Sequence, residues 1–123
     1  MISKKIISNA VAKFIENDLI NGIDDVQVNF ALCLIKESLL DNPNMVTTFF
    51  ENPLVTSVIT EENGQYDIKE LSIILKKILS EYGSYPITLP KIPLVLPCEK
   101  TIRIESCDID KIMNYINTEV ASA

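Results

Sequence analysis

Between Asp25 and Leu40 the chain carries Val26, Val28, Phe30, Ala31, Leu32, Cys33, Leu34, Ile35, Leu39 and Leu40, and no proline or glycine interrupts them. A breaker-free run of this length predicts a helix. Wound at 3.6 residues per turn, these side chains occupy nearly the whole circumference. A helix that is apolar all round must be covered all round. The fold therefore either wraps this helix at the centre of its core or lays it at the seam between two molecules. Asp24, with Gln27 three positions on, supplies a capping box at its start, and Asp25 places a carboxylate at the positive end of the dipole.

The rest of the chain is small relative to that demand. With 123 residues and 13.8 kDa it forms a single domain, 1–123, that buries roughly two-thirds of its unfolded surface and needs no staple. Its mean hydropathy of +0.20 is high for a domain whose surface-to-volume ratio favours polar residues. The surplus is concentrated in the second helix and in residues 43–59. Phe30, Leu34, Val46, Phe49 and Phe50 are the interface candidates that follow.

Elsewhere the spacing is more ordinary. Ile6, Ile7, Ala10, Val11, Phe14, Ile15 and Leu19 predict one amphipathic helix over 3–20, closed by Asn21 and Gly22, which tolerate a left-handed cap. Asn42-Pro43 and Asn52-Pro53 repeat one helix-opening signal, a capping side chain followed by proline in the first turn, and predict short helices over 43–50 and 53–59. Val55, Thr56, Val58 and Ile59 also suit a strand. After the polar turn 61–64, Asp67 and Glu70 form a capping box for a helix over 68–82, with Leu71, Ile74, Leu75, Ile78 and Leu79 inward and Gly83 at its end. Pro86, Pro90, Pro93 and Pro97 exclude a regular helix from 84–98 and predict a strap over the helices. Ile102 and Ile104 alternate with Arg103 and Glu105 as in a half-buried strand, for which 94–96 is a candidate partner. A last helix opens at Ser106 or Asp108 and carries Ile109, Ile112, Met113 and Ile116, with 118–123 fraying. The expected class is mainly α (α+β): five or six helices around a central apolar helix, a small C-terminal strand pair and a proline-rich strap.

Absences narrow the chemistry. The chain has no histidine, which removes the commonest general base, every Ser-His or Cys-His pair and every imidazole metal site. No tryptophan, a net charge of −6 and a single arginine, Arg103, argue against direct nucleic-acid binding. Three cysteines, Cys33, Cys98 and Cys107, without a C-x-x-C pair, suit reduced thiols. No uncharged stretch approaches a membrane span, and Asn9, Lys13 and Glu16 break the apolar run behind Lys4 and Lys5, so a cytoplasmic location without membrane contact is expected.

Four features invite a chemical reading. Ile59–Glu70 resembles a degenerate EF-hand loop: Gly64 falls at the sixth position, Glu61, Asn63 and Asp67 at the third, fifth and ninth, and Glu70 at the twelfth. The resemblance implies calcium ligation by Glu61, Asn63, Asp67 and Glu70, whereas Ile59 stands where the family has its first carboxylate. A polar turn followed by an Asp67 N-cap explains the same residues. Pro90-Lys91-Ile92-Pro93 has the spacing of a polyproline ligand, but Leu89, Ile92, Leu94 and Leu96 favour the strap. Cys107 starts a helix, where the dipole favours thiolate, while Asp108 and Asp110 oppose it. The carboxylate pairs Asp24/Asp25, Glu61/Glu62 and Asp108/Asp110 all coincide with helix starts or turns, where the dipole alone accounts for them.

The sequence thus points to a non-enzymatic interaction protein without a cofactor, whose partner is itself or another protein. It would act as a homo-oligomer, adaptor or inhibitor through an apolar helical face. A small enzyme working through carboxylate, Cys or Tyr chemistry, a degenerate EF-hand-like calcium-binding protein, and an acidic inhibitor of a nucleic-acid-binding protein are the alternatives.

Overall fold

A computed structural model describes residues 2–46, 65–66 and 68–122. It is mostly helical, with four α-helices among the described residues and a small antiparallel sheet near the C-terminus. In chain order these are β1 (Ile2–Ser3), α1 (Lys4–Phe14), α2 (Val26–Asp41), β2 (Gln65–Tyr66), α3 (Ile68–Tyr82), β3 (Tyr85–Leu89), β4 (Lys100–Ile104) and α4 (Ser106–Ser122). β1 pairs antiparallel with β2, and β3 with β4 in the register Tyr85–Ile104 to Leu89–Lys100.

α1 begins where the Ser3 hydroxyl accepts the Ile6 N–H at 3.3 Å, a side-chain cap of the ordinary kind. Its helical path does not stay α to residue 20 as expected. At Ile15 it widens into a π turn, Ile15–Leu19, and then tightens into a 3-10 turn, Ile20–Gly22. The wide turn keeps Ile15 and Leu19 buried while Asp18 reaches α4. Gly22 is not a left-handed cap; the path ends on Ile23 in extended conformation, with its N–H bonded to the Ile20 carbonyl at 3.2 Å.

The central helix is α1 and not α2, which corrects the expectation drawn from composition. α1 packs most extensively on α4 and then on α2. Ile7, Ala10, Val11, Ala12 and Phe14 are buried, and small side chains at Ser8, Ala10 and Ala12 let the neighbouring backbones approach. The Ser8 hydroxyl donates to the Leu39 carbonyl at 2.5 Å in the last turn of α2, one of the acceptors that a helix end leaves without an intrahelical partner. α2 buries Val28, Ala31, Leu32 and Leu39 in the core, and Ile35 packs against it partly buried. It is capped by Asp25, one residue later than expected, whose Oδ1 accepts the N–H groups of Gln27 and Val28 at 3.0 and 3.2 Å.

The first of the two Asn-Pro signals opens a 3-10 turn, Pro43–Met45, in which the Asn42 side chain accepts the Asn44 N–H at 3.2 Å. The remainder of the expected 43–50 helix and all of the 53–59 helix lie outside the described residues. α3 keeps the expected bounds and ends at Gly83, whose φ of +75° is the left-handed conformation that glycine adopts without steric penalty. The partner of β4 is β3 and not 94–96. Tyr85, Ile87 and Leu89 point inward, alternating with Pro86 and Thr88. The expected strap is therefore half strand. Its remainder holds a tight turn in which Ile92 and Leu96 exchange both backbone hydrogen bonds, 2.9 and 2.8 Å, around Pro93, Leu94 and Val95. α4 starts as a reciprocal cap, the Asp108 carboxylate accepting the Glu105 N–H at 2.9 Å, and it continues to Ser122 where fraying was expected.

Candidate functional site

The outer side of α2 is the most apolar exposed surface borne by a single described element. Val26 is 79% exposed, Phe30 54% and Leu34 37%, at successive intervals of four residues, and Leu40 follows at 47%. Residues four apart stack on one helix face, so the first three form one stripe, and Leu40, two heptads after Val26, returns to the same side beside it. Cys33 lies partly exposed on the same side. Asp24 before the helix and Asp41 at its end bound the stripe with acids, and Glu37 lies within its exposed side; all three are exposed. Lys36 lies 3.4 Å from Glu37, and the Lys100 Nζ sits 3.3 Å from the Asp25 Oδ2, tying the helix start to β4. The N–H groups of the first turn, Val28 foremost, and then Lys100 hold the Asp25 carboxyl below its usual range.

The other large exposed apolar residues, Ile73, Tyr82, Leu94 and Val120, sit on three separate elements. Leu94 stands apart among them. It is fully exposed, and at φ +66° it occupies the second corner of a turn led by Pro93, a position that ordinarily takes glycine. The sequence reading placed it inward on the strap. The Pro93-led turn is the signal that would have turned it outward.

Beside the start of α2 lies an open groove of about 440 Å³, bordered by Asp18, Ile23, Val28, Lys100, Arg103 and Asp108. Asp18 at its border is engaged in a structural pair. The Tyr115 hydroxyl donates to the Asp18 Oδ2 at 2.6 Å, and Lys111 stands 3.7 Å from the other oxygen, so Asp18 ties α4 to the π turn. The hydrogen bond to Asp18, with some desolvation, pushes the Tyr115 phenol above its usual range, which suits a fixed donor and not a base. Arg103 is engaged with the Ser84 hydroxyl at 3.1 Å and Asp108 with its helix cap.

Of the interface candidates, Phe30 and Leu34 stand in the exposed stripe. Val46 does not: it is 3% exposed and belongs to the core cluster. Phe49 and Phe50 lie outside the described residues, as do Glu61, Asn63 and Asp67 of the EF-hand-like stretch; Glu70 falls within α3. Among the described residues no cluster of three carboxylates or thiols is arranged to hold a metal ion, and no helix is long and apolar enough to cross a membrane. Cys98 and Cys107 are exposed free thiols. Val26 and Leu40 complete the stripe; both were visible in the apolar run but indistinguishable there from Val28 and Leu39, which face inward.

No protein-family model matches the chain, and neither a curated protein nor a solved structure is significantly similar to it.

Proposed function

We propose that the chain is a non-enzymatic protein-interaction module whose docking surface is the outer face of α2. The observation that carries this reading is the aligned exposure of Val26, Phe30 and Leu34 on a helix whose opposite side is already anchored in the core. An isolated exposed leucine is ordinary; three bulky apolar side chains in register on one helix are not. A partner helix covering a few hundred Å² of this stripe would gain several kcal/mol at roughly 25 cal/mol per Å², before the losses that accompany association. Phe30, aromatic and central, is the natural anchor.

The test is site-specific photo-cross-linking in the native host. A photoreactive phenylalanine analogue at position 30 should yield a discrete adduct, and the same analogue at Ile73, which is more exposed, should not. An adduct of twice the chain mass would identify a homo-oligomer, and another mass an adaptor or inhibitor complex. Indistinguishable smears from both positions would refute a docking role for α2.

A further inference from the structure

The stripe carries more information than its hydrophobicity, because one of its positions is charged. Val26, Phe30, Cys33, Glu37 and Leu40 follow one another at intervals of four, three, four and three, the seam along which one helix lies on another. Glu37 therefore stands inside the contact line and not at its edge. Its side chain is 63% exposed, with Lys36 at 3.4 Å as its neighbour. A helix laid on this seam removes water from the Glu37 carboxylate, and an apolar residue opposite it would leave that charge poorly compensated. A lysine or arginine opposite it would supply both the charge and the hydrogen bonds.

The ends of the seam have the same sign. Asp24 and Asp25 lie at its start and Asp41 at its finish; among the described residues Lys100 stands on Asp25 at the start and Lys36 on Glu37 within the line. This pattern also weighs against a second copy as the occupant. Laid parallel and in register, two α2 helices set each acid against its own counterpart. Laid antiparallel about Cys33, they bring Asp41 of one against Asp25 of the other. Either arrangement adds like-charge repulsion between chains that each carry a net charge of −6.

Resting on the docking role of α2, we infer that the occupant of this face is a basic amphipathic helix of another protein, with an aliphatic seam to receive Val26, Phe30 and Leu40 and lysine or arginine to meet Glu37, Asp41 and Asp24. Burial of the aliphatic seam sets the lifetime of such a complex, and the charges set its orientation and its rate of formation.

The experiment uses the full chain and three synthetic helical peptides that share one leucine seam and carry lysine, glutamine or glutamate at the flanking positions. Binding is followed by anisotropy and by amide shifts along α2. The lysine peptide should bind about ten-fold or more tighter than the glutamine peptide, lose affinity as salt is raised, and leave the glutamate peptide without measurable binding. Phe30→Asp separates seating on the seam from mere attraction to an acidic protein: it adds a negative charge, so plain attraction would tighten the lysine peptide, whereas loss of the anchor weakens it about ten-fold. Glu37→Gln should weaken the lysine peptide and leave the glutamine peptide unchanged.

Equal binding of the lysine and glutamine peptides, both weakened by Phe30→Asp, would overturn the basic partner and leave the docking face standing. Tighter binding by Phe30→Asp, or α2 amides unmoved by any peptide, would overturn the docking face itself. A melting temperature lowered by many degrees in Phe30→Asp would overturn both, since the ring would then be covered by its own chain. Sedimentation showing a dimer that Phe30→Asp dissociates would replace the basic helix with a second copy.

Discussion

The two N-terminal helices invert the usual relation between composition and burial. α2 has apolar residues on every side, yet Val26, Phe30, Leu34 and Leu40 face water. α1 is interspersed with Lys4, Lys5, Asn9 and Lys13, yet it is the helix around which the others pack. The difference lies in side-chain size. Ser8, Ala10 and Ala12 present little bulk, so α2 and α4 come close enough to bury both flanks of α1, and Phe14 and Ile15 fill the remaining space. α2 has one flank of comparable character, Val28, Ala31, Leu32 and Leu39, and only that flank is used. A helix takes the centre of a small fold when several neighbours can reach it, whatever its own hydrophobic content.

Two phenylalanines put this contrast to its strongest test. Phe14→Ala in α1 removes a fully buried ring and should destabilise the fold by about 3–5 kcal/mol in urea denaturation. Phe30→Ala in α2 removes a ring that is more than half exposed and should cost less than about 1 kcal/mol under the same conditions. Comparable losses from the two substitutions would mean that the outer face of α2 is covered in solution, and the distinction between the helices would disappear.

Periodicity makes some of this legible in advance and leaves other parts unreadable. The inward faces of α3 and α4, Leu75, Ile78 and Leu79 in one and Ile109, Ile112 and Ile116 in the other, follow from three- and four-residue spacing, because a helix with one apolar flank has one way to lie down. α2 offers no such guide; its apolar residues do not say which flank meets the core. The centrality of α1 is hidden because alanine and serine contribute little to an apolar count, although they decide how closely helices approach. β3 is hidden by Pro86 and Pro90, which read as breakers. A two-stranded ribbon leaves each strand one unpaired edge, where a missing N–H is tolerated, and Pro86 sits opposite Arg103 in such a ribbon. In the candidate site, Phe30 and Leu34 could be named from sequence as surplus apolar residues. Glu37 could not, because its position within the contact line appears only once the exposed flank is known.

Leu94 sharpens the comparison from outside the helices. Like the α2 stripe it is apolar and exposed, but it has no packed flank, and its φ of +66° is a conformation that Cβ-bearing residues adopt at the expense of stability. Leu94→Gly should therefore stabilise the fold by about 0.5–1 kcal/mol, the relief of steric strain exceeding the added entropy of glycine in the unfolded chain. The shift in urea midpoint measures it. A loss of stability would show that the leucine side chain packs on something, and the turn would then belong with the buried half of the segment, beside Leu89 and Leu96.

The smallest effect concerns how each helix is held at its start. α1 opens on the uncharged Ser3, so its entry is indifferent to acid. α2 opens on Asp25, whose carboxylate accepts two N–H groups and meets Lys100. Because folding holds this carboxyl below its ordinary value of 3.8, the unfolded chain takes up the proton first as pH falls. The contribution of Asp25 is thus complete above that value and disappears as pH drops through the lower value of the folded state. Asp25→Asn keeps a capping oxygen but cannot titrate, so between neutral and strongly acidic pH its melting temperature should fall less than that of the unaltered chain. Amide protection, taken relative to the intrinsic exchange rate at each pH, should fall at Gln27 and Val28 over the same interval while protection at Ile6 stays level. If both helix starts respond alike, acid acts on the fold as a whole, and the second helix is no more loosely moored than the first.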